Sequence, residues 1–115
     1  MAVKIQFIKS PSTGTMGILA RRRTGSGAAK AFANPGAVGL VQGALADMIM
    51  AADVAEKAAQ VEVEEIRGIC PQHVTLIGIF GEIADVDTAL KAVREFFALE
   101  DEERRLGSGE EGGRK

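Results

Sequence analysis

Hydrophobic and polar residues alternate at the start of the chain. Val3, Ile5 and Phe7 fall on one face and Lys4 and Gln6 on the other, the period-two pattern of a half-buried strand. In the SPSTGT stretch that follows, Pro11 and Gly14 punctuate a turn. Residues 16–22 (MGILARR) read as a second strand, so residues 3–22 predict an N-terminal β-hairpin. Residues 24–36 form a Gly- and Ala-rich connector closing on the Asn34-Pro35-Gly36 turn. Residues 37–41 (AVGLV) predict a short apolar strand. From Gly43 to about Ala59, apolar Leu45, Met48, Ile49, Ala52, Ala55 and Ala59 keep helical spacing. That stripe is rich in alanine, which lets the helix lie close to a sheet. Residues 61–67 (VEVEEIR) alternate as a strand until Glu64-Glu65, which predicts a bulge. Residues 68–72 (GICPQ) read as a loop. Residues 73–80 (HVTLIGIF) are apolar on both faces, as in a central strand. Asp85 is placed to cap a second helix, whose buried stripe is Val86, Ala89, Leu90, Val93, Phe96 and Phe97.

After Leu99 the pattern stops. EDEERRLGSGEEGGRK carries one leucine among charges and glycines and cannot bury enough surface to offset chain entropy. Residues 100–115 are therefore expected to be a frayed helix end and a charged, disordered tail. The organised part is one domain over residues 1–99: hairpin 3–22, connector 24–36 and core 37–97.

Composition narrows the classes. The chain has 115 residues, one domain's worth, with 46% hydrophobic and 26% charged residues, normal for a globular protein. The net charge of −2 disfavours a dedicated nucleic-acid binder. No apolar run reaches the ~18 residues of a membrane span, and the first residues lack an export signal core. One cysteine excludes an intramolecular disulfide and fits a reducing compartment. Trp and Tyr are absent and Phe occurs 5 times, so the core rests on Ala, Val, Ile and Leu. Burial between subunits would supplement it.

Residues 37–97 thus read β-α-β-β-α, one strand short of a ferredoxin-like βαββαβ domain, an α+β fold with two helices on one face of a four-stranded antiparallel sheet. The strand that would follow the second helix is available at residues 3–9 if the domain is circularly permuted.

The residues themselves carry a resemblance. AVGLVQGALADMIMAADVAEKAAQVEVEEIRG, followed by HVTLIGIFGEIADVDTALKAV, resembles the bacterial microcompartment (BMC) shell domain, most specifically in AADVAEKAAQV (residues 51–61). The front strand KIQFIKSP resembles the displaced terminal strand of circularly permuted members. The GICPQH loop is most similar to the subtype of glycyl-radical-enzyme compartments.

The resemblance implies flat homohexamers that tile, with other shell proteins, the shell of a cytoplasmic organelle, the bacterial microcompartment. With the net charge and hydropathy above, no nucleic acid or membrane partner is expected. The resemblance places the pore loop on Gly68, Ile69, Cys70, Pro71, Gln72 and His73. The family's hexamer–hexamer edge lysine falls on Lys57, with its counterpart near Lys9-Ser10-Pro11. Spacing alone reads Lys57 as a solvated residue paired to Asp53.

Cys70 and His73 are the only Cys and His. One chain supplies too few ligands for a closed metal site. A ring of identical subunits brings several Cys70 copies to one axis, where thiolates suit an iron–sulfur cluster, and Cys before Pro occurs among ferredoxin ligands. The expectation is a shared cluster of 4Fe–4S type at the pore, carrying electrons or delivering clusters across the shell, with encapsulated redox enzymes as further partners. A cubane offers four ligand sites and a ring six thiolates, so some thiols go unused or the ring distorts. His73 reads as a solvent-facing pore residue that could set charge near neutral pH. Two other readings stay open: a cofactor-free tile whose pore passes small polar metabolites, and a small α+β regulatory domain.

Other motifs read as bland. Arg21-Arg22-Arg23 is expected to be a solvated strand end, Gly25-Ser26-Gly27 lacks the rest of a phosphate loop, and Glu62, Glu64 and Glu65 are expected to be solvated or at a subunit seam. No convergent catalytic set appears, so an enzyme is not expected.

Overall fold

A computed structural model of the protein describes residues 3–23, 34–68 and 74–110. The elements run β1 (Lys4–Lys9), α1 (Thr13–Arg22), β2 (Ala37–Ala44), α2 (Leu45–Ala58), β3 (Glu62–Ile66), β4 (Val74–Gly81) and α3 (Ile83–Glu110). The strands form one antiparallel sheet in the order β1-β2-β4-β3. β1 sits on the outer edge beside β2, with Phe7 opposite Gly39, the edge left open because the chain after α3 adds no described strand. The four-stranded antiparallel α+β fold is as expected, and β4 lies inside the sheet.

Strand alternation sorts the side chains into two layers. Ala37, Val41, Ile77 and Ile79 point to α2 and α3, where Met48, Ala51, Ala55, Val86, Ala89, Leu90, Val93 and Phe97 close the main core. The approach is close. A Cβ on Gly39 would lie 2.9 Å from Leu90 Cδ2, so any side chain there would force Leu90 of α3 to shift. Val38, Ile66 and Phe80 point the other way, to Leu19 of α1, with Met16, Leu40 and Leu76 around them. α1 therefore covers part of the second face.

This second layer corrects the N-terminal hairpin: residues 13–22 are a helix, not a strand. MGILA is a short apolar run whose periodicity fits either element. Two local features decide it. Ser12 caps the helix, its hydroxyl accepting from the Thr15 N–H at 3.2 Å. Met16 and Leu19 then fall three apart on the face that meets the sheet, while Ile18 is left exposed. The turn before the cap bends at Ser10, whose φ of 48° is left-handed and costs roughly 1 kcal/mol in a non-glycine residue. Its N–H donates to Gly36 O at 2.8 Å, which ties β1 to the entry of β2.

Gly17 lies mid-helix, and among the described residues a methyl group there would meet nothing within 4 Å beyond its own chain neighbours and helix backbone. Gly17→Ala is therefore expected to raise stability by about 0.5–1 kcal/mol, read as a higher urea midpoint at unchanged slope. An unchanged or lower midpoint would contradict the helical assignment.

Three smaller expectations change. β3 pairs with β4 without a bulge, from Glu62 opposite Phe80 to Ile66 opposite Leu76. α3 begins at Ile83, with Glu82 O accepting from the Val86 N–H, so Asp85 lies within the first turn instead of capping it. Its carboxylate there still complements the helix dipole. α3 also continues past Leu99 to Glu110, into the stretch expected to fray, and residues 111–115 lie outside the described residues. Good helix formers and ion pairs sustain an exposed helix without burial: Arg104 reaches Asp101 at 3.0 Å and Glu100 at 3.6 Å. Among the described residues no helix is long and apolar enough to cross a membrane.

Candidate functional site

The loop expected to line a pore connects β3 to β4, so the last paired residues, Ile66 and Leu76, define its base. Gly68 is exposed at the end of β3. Ile69, Cys70, Pro71, Gln72 and His73 lie outside the described residues. Among the described residues no group of three or more His, Cys, Asp or Glu side chains is placed to hold a metal.

The base of this loop is built by two distant segments. α1 runs from the end of β1 to the β3 edge of the sheet, with Leu19 packed on Val38, Phe80 and Ile66 on the way. Its C-terminal residue then pairs with β3: the Arg67 N–H donates to Arg22 O at 2.7 Å, and Arg23 forms an antiparallel bridge with Ile66. Arg22 Nη1 donates to Arg67 O at 3.3 Å. The chain end of α1 thus acts as a short added strand beside the loop.

Arg23 anchors that strand. Its Nε and Nη2 donate to Glu64 Oε1 and Oε2 at 3.0 and 2.8 Å, a bidentate pair, with the two side chains only 10% and 6% exposed. The guanidinium carbon stands 3.9 Å from the centre of the Phe80 ring, close enough for a cation–π contact. Glu62 Oε1 lies 4.0 Å from Arg23 Nη2, is buried and has no hydrogen-bond partner among the described residues. One cation therefore faces two carboxylates.

This cluster corrects two expectations. Arg23 is not a solvated strand end, and Glu64 is not solvated. Arg21 and Arg22 are exposed as expected. A signal for Glu64 was present: it shares a strand face with Ile66, and a carboxylate on an apolar face needs a buried cation. Nothing in the local sequence singled out Arg23 from its two neighbours.

Lys57 stands exposed in the last turn of α2, its Nζ 2.9 Å from Asp53 Oδ2. It borders a shallow depression with Gln60 and Val61. On the opposite end of α2, Leu45 and Ile49 are more than half exposed beside an apolar groove of about 230 Å³ lined by Ala52, Val63 and Ile77.

The BMC domain family matches residues 37–104, more than half of the chain. Among solved structures the chain is similar to the ligand-free GrpU microcompartment shell protein from Clostridiales bacterium 1_7_47FAA, with 40% identity over 79% of this chain and 87% of that one, and a TM-score of 0.59. It is similar to the ligand-free GrpU shell protein from Pectobacterium wasabiae, with 34% identity over 79% of this chain and 99% of that one, and a TM-score of 0.60. The fused permuted hexameric shell protein MSM0275 from the RMM microcompartment shares the fold at 23% identity and a TM-score of 0.65, over 84% of this chain and 46% of that one. No curated protein matches. With its terminal strand displaced to the front and its core matching throughout, the chain belongs to the BMC-domain family, as a circularly permuted shell protein of the bacterial microcompartment shell.

Proposed function

We propose that this chain is a non-catalytic shell tile that closes into hexamers, and that Cys70 from several subunits holds an iron–sulfur cluster, of 4Fe–4S type, at the ring axis. The observation that carries this reading is the lone Cys-Pro of the β3–β4 loop, in a chain that shares 40% and 34% identity with two GrpU shell proteins. Each chain brings one thiol, so a donor set requires several chains, and a hairpin loop is a geometry that can present one from each. Pro71 fixes φ and has no N–H, which stiffens the loop beside the thiolate. A bound cluster would supply one-electron transfer, or cluster delivery, between the two sides of the wall.

The chain's own residues do the positioning. β3 and β4 carry the loop, and the Arg22–Arg67 backbone bond fixes its base on one side. Gly68, Ile69, Gln72 and His73 line the pore in this reading. The groove beside Leu45 and Ile49 is apolar surface that a ring contact would cover. Lys57 meets the neighbouring hexamer, and other shell proteins and encapsulated redox enzymes are the further partners.

Anaerobic reconstitution with iron and sulfide is expected to give a brown protein with visible absorbance, and Cys70→Ser to abolish both colour and bound iron. Equal iron in the two proteins would contradict the cluster and leave a cofactor-free tile. Lys57→Asp is expected to leave hexamers intact and to suppress extended sheets in electron micrographs. Unchanged sheets would remove Lys57 from the edge.

A further inference from the structure

The arginine run at the end of α1 divides into two uses. Arg23 turns inward to Glu64, while Arg21 and Arg22 stay exposed. Arg22 lies directly beside a third exposed arginine, Arg67 at the end of β3. The two are held together by the 2.7 Å backbone bond and by the 3.3 Å bond from Arg22 Nη1 to Arg67 O. Like charges opposite each other across a strand pair repel. The nearby carboxylates do not relieve this. Glu64 is occupied by Arg23, Glu62 is partly buried and turns its Oε1 toward Arg23, and alternation puts Glu65 on the other sheet face, beside Thr75 and Ile77. Among the described residues no carboxylate lies within ion-pair distance of Arg21, Arg22 or Arg67.

We propose that Arg22 and Arg67, with Arg21 beside them, form a binding site for a small multivalent anion bearing phosphate or carboxylate groups. Guanidinium groups present planar pairs of donors that match both groups bidentately, and they shed water more readily than ammonium does. The rigid Arg23–Glu64–Phe80 anchor one residue away holds the backbone of the pair in place before any ligand arrives. The site is complete within one chain. Its placement around the ring axis rests on the reading above, since Arg67 directly precedes the proposed pore loop. Six copies there would set a ring of positive charge at the mouth on the α1 side and concentrate anions at it.

The test is calorimetric titration of the full-length protein at low ionic strength with pyrophosphate in one arm and citrate in the other. The wild type is expected to bind at least one of them, and the responding arm identifies the chemistry. Arg22→Gln and Arg67→Gln are each expected to weaken binding roughly fivefold or more, and Arg67→Lys less than Arg67→Gln. Lys91→Gln, on α3 across the sheet, is expected to change nothing. Thermal unfolding of each variant confirms that the fold is kept. No binding of either anion, or equal affinity in the glutamine variants, would overturn the site. Light scattering on the same samples separates the two readings: rings that bind no anion contradict this site alone, and anion binding by a protein that forms no rings contradicts the ring alone.

Discussion

Phe80→Ala is expected to destabilise the protein by about 4 kcal/mol, the largest loss from any single side chain on the α1 face. Phe80 is fully buried and sits between Leu19 of α1 and the sheet residues Val38 and Ile66. The site cannot collapse around a smaller residue. Its floor is Gly78, where even a Cβ would stand 2.8 Å from the Phe80 ring, so truncation leaves a cavity over bare backbone. The ring also holds the Arg23 guanidinium, worth about 2 kcal/mol of cation–π attraction in a desolvated setting. The loss is read from urea unfolding followed by far-UV circular dichroism. A cost under about 1 kcal/mol would mean that α1 does not cover this face.

Glu64→Ala is expected to cost about 3 kcal/mol, because it removes one partner of a buried, bidentate ion pair and leaves the other charge in place. Exposed pairs behave differently. Lys57–Asp53 and Lys91–Asp87 are well exposed, and breaking either is expected to cost no more than about 0.5 kcal/mol. A double-mutant cycle with Arg23→Met and Glu64→Met isolates the pair from the packing of its stems. The coupling should survive added salt, since a desolvated pair is poorly screened. Coupling near zero, or coupling erased by moderate salt, would place the pair in solvent and remove the anchor at the base of the loop.

The core from residue 37 to 97 was legible because its signals agree. Alternation in β3, apolar faces on both sides of β4, and the alanine stripe of α2 all point to one sheet with two helices on it. The displaced strand was legible for the same reason: a half-buried strand at the front matches an edge left open at the back. The misreadings have separate causes. α1 is ten residues long with two glycines, so its pattern is too short to separate from a strand, and the deciding signal was the Ser12 cap. The end of α3 buries almost nothing, so its apolar pattern is silent, and intrinsic propensity and local ion pairs hold it. The Arg23–Glu64 pair joins residues 41 apart, and its existence depends on α1 crossing the sheet to the far edge. No local pattern encodes that crossing. Arg21, Arg22 and Arg67 became a site only when the crossing brought two of them side by side.

The central claim is that ring closure assembles a metal site that no single chain contains. Native mass spectrometry of the anaerobically reconstituted protein tests it in one spectrum. The account predicts particles of six chains carrying the mass of one cluster, and Cys70→Ser particles of six chains carrying none. Single chains or pairs, or a metal load that scales with the number of chains and survives loss of the thiol, would contradict it.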